Sequence, residues 1–416
     1  MNKRYALPED WSILATGFLV IALVIFGFPL ISPSYGWKNI SELSENVFTS
    51  NNIKVSLHLF ICLFALAIIL NFISGKSVKP VIKGFPVVYL LTTFALILAG
   101  NSTLKEWNLE AVIFSLLIGL LIRNFFAVPE WLKAALSTEA YVKIGLVLLG
   151  ASVIFGDILK AGSLGLIQAL IVVISVWYFA YWIAKKLGVD EEMSIMISSA
   201  VSICGVSAAI ATAGAIKGDS KKLSYVISIV LITAIPMIIF MPMLANFLGL
   251  PQAVAGAWIG GTIDTSGGVI ASGTLVGEEA LKISTIVKFS QNVLLGMAAF
   301  AISIYWSYKG EPTETGEKVK PNAIVIWERF PKFVIGFIAA SILFSFFIDA
   351  DTNNAVKVHL KTLQGIWFAL AFTSIGLETD FRELFKGQGK KPLYAFLIAQ
   401  VFNIVVTLLV AILLFN

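Results

Sequence analysis

The chain has 416 residues, of which 58% are hydrophobic and 13% charged, with a formal net charge of +5. A soluble globular protein carries roughly 25% charged residues, so this composition excludes a water-facing surface over most of the chain. It leaves an all-α, polytopic membrane protein, because many apolar runs reach the ~20 residues that cross a bilayer.

About thirteen spans are expected, near residues 12–32, 54–74, 83–100, 109–126, 140–156, 164–184, 193–215, 223–247, 253–275, 280–307, 331–348, 361–377 and 393–415. The first follows Glu9 and Asp10, is long for a signal sequence and lacks a small-residue cleavage site, so it reads as a retained helix. Cytoplasmic loops are rich in Lys and Arg. Placing Lys3 and Arg4 inside puts Lys76, Lys79, Lys83, Arg123, Lys133, Lys185, Lys186, Lys309, Lys318, Lys320, Arg329, Arg382, Lys386, Lys390 and Lys391 inside as well. The N-terminus is then cytoplasmic and the C-terminus outside. One segment resists, "KGDSKK" (Lys217 to Lys222), which this topology sends outside. The longest internal polar linker is "YKGEPTETGEKVKPN", Tyr308 to Asn322.

Two similar segments, "LVLLGASVIFGDILK" (Leu146 to Lys160) and "AFTSIGLETDFRELFK" (Ala371 to Lys386), run in opposite directions in this topology. Opposed copies are the mark of an inverted repeat. The domain expectation is one integral membrane domain, 1–416, with accessory helices over 1–108 and repeat-like halves over 109–250 and 251–416.

Two spans are interrupted by small and polar residues. One is "SSAVSICGVSAAIATAGAIKGD", Ser198 to Asp219. The other is "GGTIDTSGGVIASGTLVGEE", Gly260 to Glu279. Displaced by 60 residues they align without gaps, Ile203 with Ile263, Ile210 with Ile270 and Ala211 with Ala271. Hydrocarbon offers the backbone no partner, so glycine-dense polar sequence at membrane depth predicts a helix break inside the protein. A break presents free N–H groups on one half-helix and free C=O groups on the other, and these bind ions. Small-residue helix packing is the competing explanation. It accounts poorly for Asp264, since packing requires no aspartate. The topology above sends both broken helices in the same direction, whereas a simple inverted repeat would oppose them. A permuted repeat, a re-entrant hairpin or a span count wrong by one would each resolve the conflict.

Ionisable residues within spans are functional candidates. Asp264 lies in a break, and Lys288 lies in "LKISTIVKFSQNVLLG" with Ser290, Gln291 and Asn292 after it. A buried lone charge is costly, so Lys288 is expected to pair with Asp264 or to face an anion. Lys143 and Arg123 are expected to snorkel to the interface. His58 and His359 lie near span ends, and Cys62 and Cys204 form no disulfide framework. There is no metal-ligand spacing, nucleophilic triad or phosphate loop, so no enzyme activity and no cofactor are expected.

The motifs "LLIGLLIRN", "KIGLVLLGASVIFGDIL", "ICGVSAAIATAGAIKGD", "GGTIDTSGGVIASG", "STIVKFSQNVLL" and "FTSIGLETDF" together resemble the YeiH-type sulfate exporter family of bacterial inner-membrane proteins, from about Leu109 to the C-terminus. The chain is also similar to the architecture of bile-acid/sodium symporters and sodium/proton antiporters. That resemblance implies a panel domain and a core domain with two unwound, crossing helices. It also implies that Cys204 to Ala208 and Asp264 to Gly268 flank the substrate. Where the family carries a histidine before the aspartate, this chain has Ile263.

The function expected is a secondary transporter exporting a small anion, such as sulfate or an organosulfonate, by alternating access. The substrate-binding set is Cys204, Gly205, Ser207, Asp264, Thr265, Ser266, Gly267, Lys288 and Asn292. The alternative is a cation/proton antiporter using Asp264 and Lys288. Expected partners are the anion, a coupling H+ or Na+, the lipid bilayer and a second copy in a homodimer, with no nucleic acid.

Overall fold

The computed structural model describes residues 6–28, 30–106, 111–309, 324, 327, 330–382 and 389–416. Most of the polar linker, together with Lys3, Arg4, Lys318, Lys320, Arg329 and Lys386, lies outside them. Described residues outside the helices form turns and short links, with one isolated bridge between Trp37 and Asn101. Among the described residues, seven helices are long and apolar enough to cross a membrane. In chain order the principal helices are α1 (Glu9–Ile25), α2 (Ser50–Ile73), α3 (Lys79–Ala99), α4 (Ala111–Phe125), α5 (Thr138–Gly150), α6 (Phe155–Lys186), α7 (Glu191–Ser199), α8 (Val206–Ile216), α9 (Ser220–Phe247), α10 (Gln252–Thr262), α11 (Ser266–Val276), α12 (Glu278–Lys309), α13 (Lys332–Ile342), α14 (Ala350–Glu378) and α15 (Lys391–Phe415). This is an all-α polytopic membrane protein.

The chain divides into two compact units, residues 1–155 with 332–380, and residues 156–331 with 381–416. It passes from the first unit to the second at Phe155/Gly156 and again at Asp380/Phe381. These points fall within the two similar segments noted above.

The first unit packs α4 and α5 on α14, and α5 on α13 and α1. Glycine permits the closest crossing: a Cβ on Gly119 would sit 2.5 Å from the Thr373 carbonyl oxygen, and one on Gly376 would sit 2.5 Å from that of Leu116. Two cations expected to snorkel are paired instead. Arg123 meets Asp380 at 3.1 Å, with both side chains largely enclosed. Lys143 meets Asp10 at 2.9 Å and Glu139 at 3.1 Å. Each has an acidic partner close at hand on a packed neighbour, which offsets the cost of burial better than a stretched route to water would.

The second unit holds both interrupted segments, and neither crosses. α7 continues through a wide π-helical turn, Ala200–Cys204, to Gly205, where the backbone turns at φ 60° and ψ −113°. α8 then returns to where α7 began. Asp190, which caps the start of α7, and Glu192 both accept from Lys222 just beyond α8, at 2.9 Å and 3.2 Å. The Asp219 N–H donates to Glu192 Oε2 at 3.3 Å. The second pair behaves alike. α10 ends at Thr262, the chain is extended at Ile263 and Thr265, and α11 returns. Gln252 at the start of α10 accepts from the N–H groups of Glu279 and Ala280, at 3.2 Å and 3.4 Å. An 11-residue arm such as α8 is about 16 Å long at 1.5 Å per residue, half of a bilayer core. Both segments are therefore re-entrant hairpins. This corrects the expectation of single spans at 193–215 and 253–275 and of two crossing helices.

The 28 residues of α9 link the base of the first hairpin to the base of the second. At about 42 Å it puts the two bases at opposite ends of the unit, so the hairpins enter from opposed directions. A hairpin followed by a long helix thus occurs twice, and the second copy is inverted. The arms α7 and α10 are buried on all sides, including every residue from Met193 to Ser199 and from Val254 to Thr262. Buried polar groups of α7 are met within the protein, as where the Ser194 and Ser198 hydroxyls donate to the Asp190 and Ser194 carbonyls at 2.7 Å each. The long helices around them carry the exposed apolar faces, such as Ile171, Ile174 and Tyr178 on α6 and Val401, Val405 and Leu409 on α15.

Candidate functional site

The hairpin tips touch. A Cβ on Gly205 would lie 3.1 Å from the Asp264 carbonyl oxygen, 3.2 Å from Asp264 Cβ and 2.7 Å from Val230 on α9. Only glycine fits that space and that positive φ. Cys204 and Asp264, equivalent under the 60-residue displacement, therefore sit at the two tips.

Each tip contains a helix that stops and a helix that starts. The stopping helices leave carbonyl oxygens without helical partners. Side chains from α12 and α15 take them up. Lys288 Nζ donates to the Ile203 carbonyl at 2.7 Å and to Gln291 Oε1 at 3.0 Å. Gln291 Nε2 donates to the Gly261 carbonyl at 2.9 Å, on the other hairpin. From α15, Gln400 Nε2 donates to the Thr262 carbonyl at 2.9 Å. Asn403 Nδ2 spans both tips, donating to Val201 at 3.1 Å and to Thr262 at 3.2 Å. Thr407 Oγ1 in turn donates to Asn403 Oδ1 at 2.8 Å. On the outer side of α10, Gln168 of α6 donates to Ala257 at 2.7 Å.

The carbonyl ends are thus neutralised by one ammonium and three amides. The starting helices, α8 and α11, carry the other polarity. Their first-turn N–H groups and the positive ends of their dipoles face the meeting point of the tips. Thr265 caps α11, its Oγ1 accepting from Gly268 at 3.1 Å. Asn292 Nδ2 donates to Ser266 Oγ at 3.4 Å. Ser207 in the first turn of α8 is exposed, Thr265 and Ser266 are half-buried, and Gly267 is buried beneath them.

The structure therefore brings the expected residues Cys204, Gly205, Ser207, Asp264, Thr265, Ser266, Gly267, Lys288 and Asn292 to one locality. One relation differs. Asp264 and Lys288 form no ion pair within 4 Å, and two of the three Lys288 N–H donors go to an orphan carbonyl and an amide. The broken helix supplies an acceptor nearer than the carboxylate. Asp264 is 1% exposed, and its Oδ2 has no hydrogen-bond partner. Thr262 Oγ1 and Asn292 Oδ1 are buried and unpartnered too. Gln291, Gln400, Asn403 and Thr407 were not in the expected set. The last three recur at helical spacing in the apolar α15, a polar stripe visible in "QVFNIVVT".

A multi-pass helical membrane protein with paired re-entrant hairpins is the class that fold and site define. The chain belongs to the family described as Conserved hypothetical protein 698, which matches residues 83–396. It is 41% identical over 369 residues to a UPF0324 membrane protein of Rhodopirellula baltica, covering 86% of this chain and 68% of the relative. It is also 41% identical over 358 residues to a UPF0324 membrane protein of Nitratidesulfovibrio vulgaris, covering 82% and 60%. A more distant UPF0324 membrane protein, of Yersinia pestis, is 27% identical over 326 residues, covering 75% and 87%. The chain thus spans between about three fifths and two thirds of the length of the two more similar of these. No solved structure matches the chain.

Proposed function

We propose that the chain is a secondary transporter that binds a small anion where the hairpin tips meet and moves it by alternating access. The observation that carries this reading is the pairing of polarities. The carbonyl ends of α7 and α10 are occupied by Lys288, Gln291, Gln400 and Asn403, while the N-terminal ends of α8 and α11 converge. Two helix N-termini with hydroxyls from Ser207, Thr265 and Ser266 make an anion site without requiring a free cation. Lys288 adds positive potential from behind. Sulfate and organosulfonates are the substrates to try first, being tetrahedral oxyanions rich in acceptors.

The same reading sets an orientation in the bacterial inner membrane. Cations crowd the base of the first hairpin: Lys185, Lys186, Lys217, Lys221 and Lys222, with Lys390 and Lys391 brought there by the bond from Tyr225 to the Gly389 carbonyl at 2.7 Å. By the positive-inside rule this base is cytoplasmic. Lys217 to Lys222 then cease to be an exception, because a hairpin returns to its own side. Lys3 and Arg4 place the N-terminus in the cytoplasm by the same rule.

The test is uptake of radiolabelled anions into liposomes holding the purified protein, over a panel of sulfate, sulfite, sulfonates and carboxylates. Saturable uptake of one anion, lost in Ser266→Ala with Thr265→Val, supports the reading. Electroneutral exchange of cations for protons, with no anion moved, favours the antiporter instead.

A further inference from the structure

The first unit holds a cavity of about 400 Å3 between the first turns of α2, the second half of α3 and the segment that precedes α2. Phe48, Ile53, Leu57 and Leu90 line it, and each is more than half exposed. Both α2 and α3 are long and apolar enough to span a membrane. These side chains therefore meet hydrocarbon, and the cavity opens sideways into the bilayer rather than into water.

The segment that roofs the cavity is tied down. The Asn52 side chain accepts from the Ser34 N–H at 2.8 Å and donates to the Ser34 and Val47 carbonyls at 2.9 Å and 2.8 Å. Trp37 Nε1 donates to the Ile97 carbonyl near the end of α3 at 2.6 Å. The space is thus held open by bonds on either side of it. An unfilled space of this size forfeits dispersion contacts along its whole lining, and the medium at its mouth supplies what fills it. At about 30 Å3 for each group the size of a water or a methylene, it takes roughly a dozen, most of one acyl chain.

Polar groups mark where the chain would end. The Tyr89 hydroxyl donates to the Ser56 carbonyl at 3.0 Å, which fixes the level of antiparallel α3 against α2. Thr93, one turn beyond Tyr89, also lines the cavity, and its buried Oγ1 has no hydrogen-bond partner. It lies nearer than Tyr89 to the end of the unit where α2 starts. Lys54 is exposed there and forms no ion pair with a described residue. It is three residues before Leu57 and so on the same side of α2. The positive end of the α2 dipole adds to its charge. We propose that this cavity binds one acyl chain of a bilayer phospholipid, with the ester group at the level of Thr93 and the phosphate held by Lys54 at the start of α2. Neither the transport reading nor the orientation in the membrane enters this inference.

The experiment titrates the full chain, delipidated in detergent, with phosphatidylglycerol carrying a photoreactive diazirine in one acyl chain, and maps the adducts by peptide mass spectrometry. Saturable labelling of Ser56 to Phe60 and of Pro86 to Thr93 is expected, while the exposed α6 face at Ile171 and Ile174 labels without saturation. Lys54→Gln should raise the half-saturating lipid concentration about fivefold, the worth of one lysine beside an anionic headgroup. Leu57→Trp with Leu90→Trp, at positions already facing lipid, should fill the mouth and remove the saturable labelling while leaving that of α6 unchanged. If the tryptophan variant does not fold, Lys54→Gln carries the test. Labelling that saturates at neither place, or a titration unchanged in Lys54→Gln, overturns the proposal. So does a disulfide between two copies of Leu57→Cys that blocks the labelling, which would assign this face to a second copy of the chain.

Discussion

Replacing Gly205 with alanine tests whether the tips meet as described. The residue sits at φ 60° and ψ −113°, outside the left-handed well that other residues tolerate, and such backbone strain costs about 1–3 kcal/mol. The added methyl would also lie 2.7 Å from Val230 Cγ1 and 3.1 Å from the Asp264 carbonyl oxygen. One contact is to a branched side chain on α9 and the other is to backbone, so neither yields cheaply. Overpacking of this kind adds about 1–3 kcal/mol. The sum is a loss of about 2–6 kcal/mol, concentrated at the junction of the two hairpins. Gly162→Ala on α6 is the control. Its new methyl would find only Ile286 Cγ2, at 3.8 Å, and alanine in a helix gains up to about 1 kcal/mol over glycine. The assay is thermal unfolding of purified protein in one detergent, followed by tryptophan fluorescence. Gly205→Ala should melt well below the native protein and Gly162→Ala at or above it. Equal melting temperatures for the two variants would refute the contact between the tips.

Asn403→Leu leaves the Val201 carbonyl without its side-chain donor and weakens the support of Thr262; at about 1–3 kcal/mol per unpaired buried group, a clear drop in melting temperature is expected, and no drop would mean that water replaces the amide. Lys288→Met leaves the Ile203 carbonyl without its donor, and at about 1–3 kcal/mol per unpaired buried group it should lower the melting temperature; no drop would mean that another donor takes its place. Arg123→Met should lower the melting temperature by removing the enclosed ion pair with Asp380, and adding Asp380→Leu should return part of the loss in a double-variant melting series. Cysteines placed at Lys221 and Glu278 should label from opposite faces of intact cells, with Lys221 reached from the cytoplasm; labelling from one face would exclude opposed hairpins.

How much of this was legible in the sequence depends on the range of the interaction. The breaks were, because glycine, hydroxyls and an aspartate inside an apolar run are local signals. So was the kinship of the two segments, whose 60-residue register places Cys204 and Asp264 at equivalent tips. Whether each broken helix crosses or returns was not. That is decided by Lys222 on Asp190 and Glu192, and by Gln252 on Glu279, contacts between residues about 30 apart. The misplaced lysines of "KGDSKK" were the visible trace of it. The partner of Lys288 was hidden for another reason. Counting charges pairs it with Asp264, but the π-helical turn before Gly205 frees the Ile203 carbonyl, and backbone acceptors do not show in a list of charged residues.

Asn403 gives the tips a mechanical property. Its one amide nitrogen is bonded to Val201 on a hairpin that enters from one end and to Thr262 on a hairpin that enters from the other. Withdrawing either tip pulls on the same nitrogen, and through it on the opposite tip. A carrier leaks when both of its doors stand open at once. On the transport reading proposed above, the two tips are the doors, and Asn403 is a latch that they share.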